Sequence, residues 1–488
     1  MTTGVGGLGS RRVTADIAVQ LIGRVLDLAL GVVVTVALVR YLGDSDYGKW
    51  ATIMSVTSFI TVAGSQAIPK VVIPKAAAEP EREGSWLGAL LALQAAIAVP
   101  GTILAVAILL VISRGGDMVA AGLIASLMIV LNVPAAVGTV FQLHVRNDVG
   151  TAISLLNSVI WTVGVFVIAA VGGGLPAVAA LFVGTMLITL MPMVVLALRR
   201  VRFDWTGGKK LRGPIVKMAI PVAAYGMAVN AYNGIDQLIV FQLDGSRAAG
   251  LYAAVYRIVN QAGVFPAAIF TTLLPVLAAA YQTDLGRVHR LMQVAADNLM
   301  VLCFGGVAVT LAAGGPILEL LYGADFASAA PSLVILMVAF VFIALGYVYG
   351  SMVVVLNIQR RLLKFAVAAL SVNIVLNLIF VPIFGYVAAA VVTVITEALV
   401  LVLTARVVAP ILNLKLQWGP FVRTGAAAAG MCVIVLLLRL AGLPAGVLLL
   451  AAAVSYALLL IAFKALHLRE MLALLRPGRA STPAGDAT

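Results

Sequence analysis

Four polar side chains, Asp16, Gln20, Arg24 and Asp27, interrupt an apolar run close to the N-terminus. At about 100° per residue they fall near 0, 40, 80 and 20°, so they share one stripe of a helix. Arg24 lies about 18 Å along that helix from Arg12, near the middle of a bilayer. A charged stripe at that depth cannot face hydrocarbon. It faces other helices, with Arg24 and Asp27 neutralising one another at i, i+3, or it lines a water-filled cavity. A second group follows in the seventh and eighth apolar runs: Tyr225, Tyr232, Asn233 and Asp236, then Arg257, Asn260 and Gln261. Asp236 and Arg257 lie at comparable depth, which allows either an ion pair or an Arg257 that faces the cavity with Arg24. Two fixed guanidiniums at low dielectric suit a pyrophosphate or another anion, because Arg binds such groups in bidentate fashion.

The candidate cavity residues are therefore Arg24, Arg257, Gln20, Asn233, Tyr232, Asn260 and Gln261. The candidates for ion coupling are the carboxylates Asp16, Asp27, Asp236 and Glu397, the last near the middle of the twelfth run. Hydrogen bonding between helices is the simpler role for Glu397, as it is for Asn132, Asn157, Asn373 and Asn377. Asp297 sits nearer a cytoplasmic mouth and is expected to be solvated. His144, His289 and His467 are far apart and form no ligand cluster with cysteine or carboxylate, so no metal site is expected. No phosphate-cradling glycine loop ending in Lys-Ser or Lys-Thr occurs, no cofactor is indicated, and the chain is not expected to be an enzyme.

Only a membrane can hold the elements that position these groups. Of the 488 residues, 63% are apolar or aromatic and 10% are charged, against about 45–50% and 25% in soluble domains. Fourteen runs reach the ~20 apolar residues a crossing requires, the first near 13–40 and the last near 443–465. The fold class is all-α and polytopic. No small-residue cleavage site follows Arg11 and Arg12, so the first run reads as a retained span. Cys303 and Cys432 lie inside apolar runs and read as small core residues. With the N-terminus inside, Arg40, Lys49, Arg114, Arg247 and Arg439 fall outside, and Arg24 and Arg257 lie within spans. Every other one of the 32 basic residues falls on the cytoplasmic side, the asymmetry that sets orientation. The net charge of +13 is thus an orientation signal and implies no nucleic-acid partner.

The largest basic loop comes after six runs and before six more. The turn at 40–50, RYLGDSDYGKW, and the turn at 241–252, FQLDGSRAAGLY, both place Leu, a polar turn, then Gly-x-aromatic at the next helix. The displacement of 201 to 202 residues marks two parallel halves. The expected organisation is a six-helix bundle at 1–198, a cytoplasmic basic loop at 199–214 and a second six-helix bundle at 215–408. Two additional spans at 409–467 and a cytoplasmic tail at 468–488 complete it.

The first turn, together with the run 372–386 (VNIVLNLIFVPIFGY) and Glu397 beyond it, resembles the polysaccharide-transporter flippases of the MOP superfamily. The segment 236–252 is similar to the end of that family's seventh helix. The resemblance covers the first twelve spans. It departs at Ala388, where relatives commonly carry Gly, a difference that touches packing only. It implies two bundles in a V around a central cavity, and movement of isoprenoid-pyrophosphate-linked oligosaccharide across the cell's inner membrane. The implied partners are that lipid-linked substrate, membrane lipid, and polysaccharide polymerase or export proteins. The rivals are a lipid II-type flippase, a cation or drug antiporter with a net acidic cavity, and, less well supported, a membrane glycosyltransferase or polymerase. The outer loops are too short for the last.

Overall fold

A computed structural model describes residues 6–65, 67–144, 146–413 and 416–465. Among these residues the chain is helical and contains no strand. The long apolar sequence runs explain this: in lipid a backbone must satisfy its own hydrogen bonds, and a helix does so within one segment. The elements are α1 (Gly6–Ser65), α2 (Ala67–Ala78), α3 (Glu83–Ile112), α4 (Gly116–Ala135), α5 (Thr139–Leu143), α6 (Asn147–Val171), α7 (Leu175–Leu198) and α8 (Trp205–Leu243). They continue as α9 (Ser246–Ala262), α10 (Val264–Thr283), α11 (Leu285–Tyr322), α12 (Ala330–Val355), α13 (Gln359–Phe384), α14 (Tyr386–Leu412), α15 (Gly419–Leu440) and α16 (Ala445–Ala462).

Thirteen stretches among the described residues are long and apolar enough to span a bilayer. The count meets the fourteen expected crossings at α1, whose 60 residues are broken at Gly43 (φ 68°, ψ −177°). That backbone geometry suits glycine, and the turn between the first two crossings sits there. The long eighth run divides at Gly263, between α9 and α10. The fourth divides after Pro134, where Ala136–Gly138 tighten into a 3-10 turn before α5. The basic stretch after α7 is shorter than its charges suggest. Asp204 caps α8 by accepting from the backbone N–H groups of Thr206 and Gly207, so Lys209, Lys210 and Arg212 are already helical. The 39 residues of α8 extend about 58 Å, well beyond ~30 Å of hydrocarbon.

The chain divides into two compact units, 1–254 with 373–389, and 255–372 with 390–488. In the first, α1 packs on α6, α8, α3 and α4, and α4 packs on α7. Trp86, Leu87, Leu90, Phe141 and Ile215 fill one end of that unit. In the second, α11 packs on α12 and α15, and α15 packs on α16. The last two helices are held by small side chains, Ala308, Ala312, Ala428 and Ala452, around Met431 and Leu448. Small residues let helices approach closely where lipid offers no hydrophobic drive. Cys303 and Cys432 are buried free thiols. Large apolar side chains such as Ile103, Val111, Met191 and Leu440 are exposed, as a lipid-facing surface requires.

Candidate functional site

Asp27, the described member of the α1 stripe, lies against α6. A Cβ on Gly23 would lie 2.2 Å from Thr151 Cγ2, so the two helices touch there. One turn on, the Ser154 hydroxyl donates to Asp27 Oδ2 at 2.8 Å. The other carboxylate oxygen of Asp27 is buried and has no hydrogen-bond partner. The side chains of Asp16, Gln20 and Arg24 lie outside the described residues.

Asp27 opens onto a cavity of about 540 Å³ inside the first unit. Gln94, Asn132, Thr139, Gln142, Thr151 and Ser154 supply its polar wall, and among the described residues Asp27 is the charged one in that wall. The break after Pro134 makes the room, because the 3-10 turn at Ala136–Gly138 lies on the cavity. Irregular backbone at membrane depth is tolerated where it lines a cavity of this kind. A neighbouring space of about 280 Å³ shares Ala135, Gly150, Ser154 and Met193 with it and reaches Asn157 and Thr189. Asn132 serves the cavity more than it ties helices together: its amide donates to Met128 O within α4 at 2.7 Å and leaves its side-chain oxygen on the wall. Sequence reading passed over Ser154 and Thr151. The signal was there, since Thr151, Ser154, Ser158 and Thr162 recur at helical spacing along α6.

In the second group, Tyr252 donates to Asp236 Oδ2 at 2.9 Å, and Asp236 is 2% exposed. A hydroxyl thus serves that oxygen. Arg257 is exposed on α9 and makes no ion pair among the described residues. Asn233 and Asn260 are exposed, and Tyr232 and Gln261 are half-buried. Glu397 is half-buried on α14 and lies close enough to Tyr347 of α12 for its charge to act on that hydroxyl. Asn373 and Asn377 bond to each other along α13 at 3.0 Å, within one helix and not between two. Asp297 is a correction. It is 3% exposed and accepts from Gln293 at 2.7 Å, so it is buried and not solvated. The Gln293 amide reaches both Asp297 and the backbone of Gln417, which closes that end of α11 over the carboxylate.

A model of the family described as polysaccharide biosynthesis proteins matches residues 13–280, more than half of the chain. This chain belongs to that family. It is 27% identical over 193 residues to Probable flippase AglR of Haloferax volcanii, a match spanning 38% of this chain and 40% of that relative. Among solved structures, the lipid II flippase MurJ in an inward closed conformation superposes with a TM-score of 0.77 at 14% identity. That match covers 93% of this chain and 99% of MurJ. A multidrug resistance MATE transporter of the MOP superfamily in an inward-facing conformation matches with a TM-score of 0.62 at 13% identity, over 81% and 98%. The polysaccharide biosynthesis family member described here thus shares its fold with MurJ and with that MATE transporter.

Proposed function

We propose that this polysaccharide biosynthesis family member is a flippase. Its substrate is an isoprenoid-pyrophosphate-linked oligosaccharide, moved to the outer leaflet of the cytoplasmic membrane by alternating access. The termini are cytoplasmic, and the helices at 1–198 and 215–408 act as two bundles around a hydrophilic path, with the spans in 409–467 added. The observation that carries this reading is Arg257. It lies about 16 Å along α9 from Ser246 within an apolar span, exposed and without an ion pair among the described residues. An exposed guanidinium at that depth requires water or an anion, because hydrocarbon excludes it. Asn233 and Asn260 are exposed too and supply amides for sugar hydroxyls, while the isoprenoid stays in the lipid. Arg24 adds the second cation. Asp27, with one carboxylate oxygen unpartnered beside a polar cavity, takes the coupling ion; Asp16, Asp236 and Glu397 are the other carboxylates for that role.

A second reading has one observation in its favour. The Asp27 cavity carries a carboxylate and no Lys or Arg in its described wall, as a cation or drug antiporter would need. Reconstituted vesicles separate the two. With a labelled isoprenoid-pyrophosphate oligosaccharide in the inner leaflet, wild type moves label to the outer leaflet, and Arg24→Ala and Arg257→Ala each lower the rate at least about tenfold without loss of protein. Full rates in both variants would remove the cation path. Movement of lipid II in place of the oligosaccharide would reassign the substrate, and cation-driven drug efflux without lipid movement would favour the antiporter.

A further inference from the structure

The carbonyl of Ala312 is deprived of its ordinary partner by the sequence. Its helical donor would be the N–H of residue 316, and Pro316 has none. Arg439 of α15 replaces that donor: its Nη1 donates to Ala312 O at 2.9 Å. Among the described residues this is the one hydrogen bond the guanidinium makes. It fixes the group in place and leaves the rest of a five-donor fork for something else.

The same break opens a cavity of about 510 Å³ between α11, α12 and α15, all within the second unit. That volume lies inside the ~300–1,000 Å³ typical of small-molecule sites. Arg439 and Glu319 are the charged residues of its wall among those described. The Glu319 carboxylate has neither an ion pair nor a hydrogen bond among the described residues. An acid and a base therefore border one space without neutralising each other.

Depth gives the cavity a direction. Arg439 lies one residue from the end of α15 and Glu319 three from the end of α11. The asymmetry of basic residues puts those helix ends at the outer surface. Leu311, also in the wall, lies eight residues before Glu319, about 12 Å nearer the middle of the bilayer. Leu311 is exposed, as are Val433 and Leu437 of α15. Charge at head-group level above an apolar floor is the polarity of a phospholipid standing in its leaflet. The two charges also select the head group. A guanidinium suits phosphate. The carboxylate then disfavours purely anionic lipids, an isoprenoid pyrophosphate among them, and calls for a cation beside the phosphate. A primary ammonium can donate hydrogen bonds to it and a quaternary one cannot. Quaternary ammonium is recognised by aromatic cages, and the described wall contains no aromatic ring.

We propose that this outer cavity holds a membrane phospholipid whose head group carries a phosphate and a primary ammonium, the phosphate on Arg439 and the ammonium on Glu319. Nothing in this assignment depends on what the protein transports, so the flippase reading can fail while it stands. The test uses the full-length protein, delipidated in detergent and given equimolar phosphatidylethanolamine and phosphatidylcholine with matched acyl chains. Native mass spectrometry reads the lipid retained. Wild type should prefer phosphatidylethanolamine at least about fivefold, the scale of one hydrogen bond to a charged group. Glu319→Gln should bring that ratio near unity and leave retention of phosphatidylcholine unchanged. Glu319→Lys should turn the preference toward phosphatidylglycerol, a gain that misfolding cannot mimic. A wild-type ratio near unity, or a Glu319→Gln variant that keeps the wild-type ratio, would overturn the assignment. Free glycerophosphoethanolamine, which has the head group and no chains, should not displace the lipid at matched concentration. Displacement by it would make the occupant a soluble zwitterion and overturn the lipid.

Discussion

In the first unit a carboxylate sits beside the break between α4 and α5; in the second a guanidinium sits beside a break in α11. The two cavities are close in size, about 540 and 510 Å³. Both follow from helix-breaking residues, Pro134 with Gly138 in one and the run Gly314-Gly315-Pro316 in the other. Their charges are used differently. At Ala313 the backbone leaves helical geometry (φ −136°, ψ 20°), and Arg439 Nη1 donates to Ala312 O beside it at 2.9 Å. Arg439 therefore supports a carbonyl next to the kink. Asp27 supports no backbone group in this way: Ser154 holds one oxygen and the other is left without a partner. The unpartnered atom is costly to bury, about 1–3 kcal/mol in protein terms. A charge that repairs a helix break is explained by the fold. A charge that repairs no backbone is the better candidate for a part in transport.

The largest effect that would break this contrast comes from Asp27→Asn. The amide oxygen can still accept from Ser154, so the helices stay together and only the charge is lost. Transport should fall at least about tenfold while protein abundance and melting temperature stay near wild type. Unchanged transport in vesicles would leave Asp27 with a packing role, and the two cavities would no longer differ in kind. Arg439→Gln sharpens the same contrast from the other side. It removes one hydrogen bond to a carbonyl beside a kink, a loss of about 1 kcal/mol. Thermal unfolding in detergent should shift down slightly while transport holds. A transport loss matching that of Asp27→Asn would show that the second cavity is also on the path.

The contrast also marks how far a sequence carries. The spans were readable because lipid allows one solution to the backbone problem, and long apolar runs announce it. Of the α1 stripe only the Asp27 side chain is described, and spacing alone could not say which helix it meets, because that depends on Gly23 and Thr151 coming together across 128 residues. Asp297 misled for the same reason: its depth along α11 suggested solvent, while Gln293 and the segment at 417 close over it. Arg439 was counted only for orientation, since nothing in its own neighbourhood reveals a distant kink at Ala313. The paired turns at 40–50 and 241–252 lie between these cases. Their likeness was visible, and the close approach of Gly48 to Ser246 O and of Gly250 to Asp44 O was not.

The smallest effect concerns a charge whose partners are all local. Asp204 caps α8 at the basic turn, where its backbone N–H also donates to Gly84 O at 3.0 Å. The Gly207 backbone N–H, then the hydroxyls of Ser85 and Thr206, stabilise its ionised form and lower its carboxyl from 3.8 to about 2. A carboxylate depressed in the folded protein contributes stability that is fully present above pH ~3.8 and is lost as pH falls through about 2. Asp204→Asn keeps a capping oxygen and removes the charge. The variant and wild type should therefore differ slightly in melting temperature above pH 4 and converge toward pH 2, with faster amide exchange at Gly207 in the variant. A difference that stays constant across that range would show that the cap works through geometry alone. In that case the fold would need charge at this turn no more than it needs the charge of Asp27, and the separation between structural and functional charge would rest on Arg439.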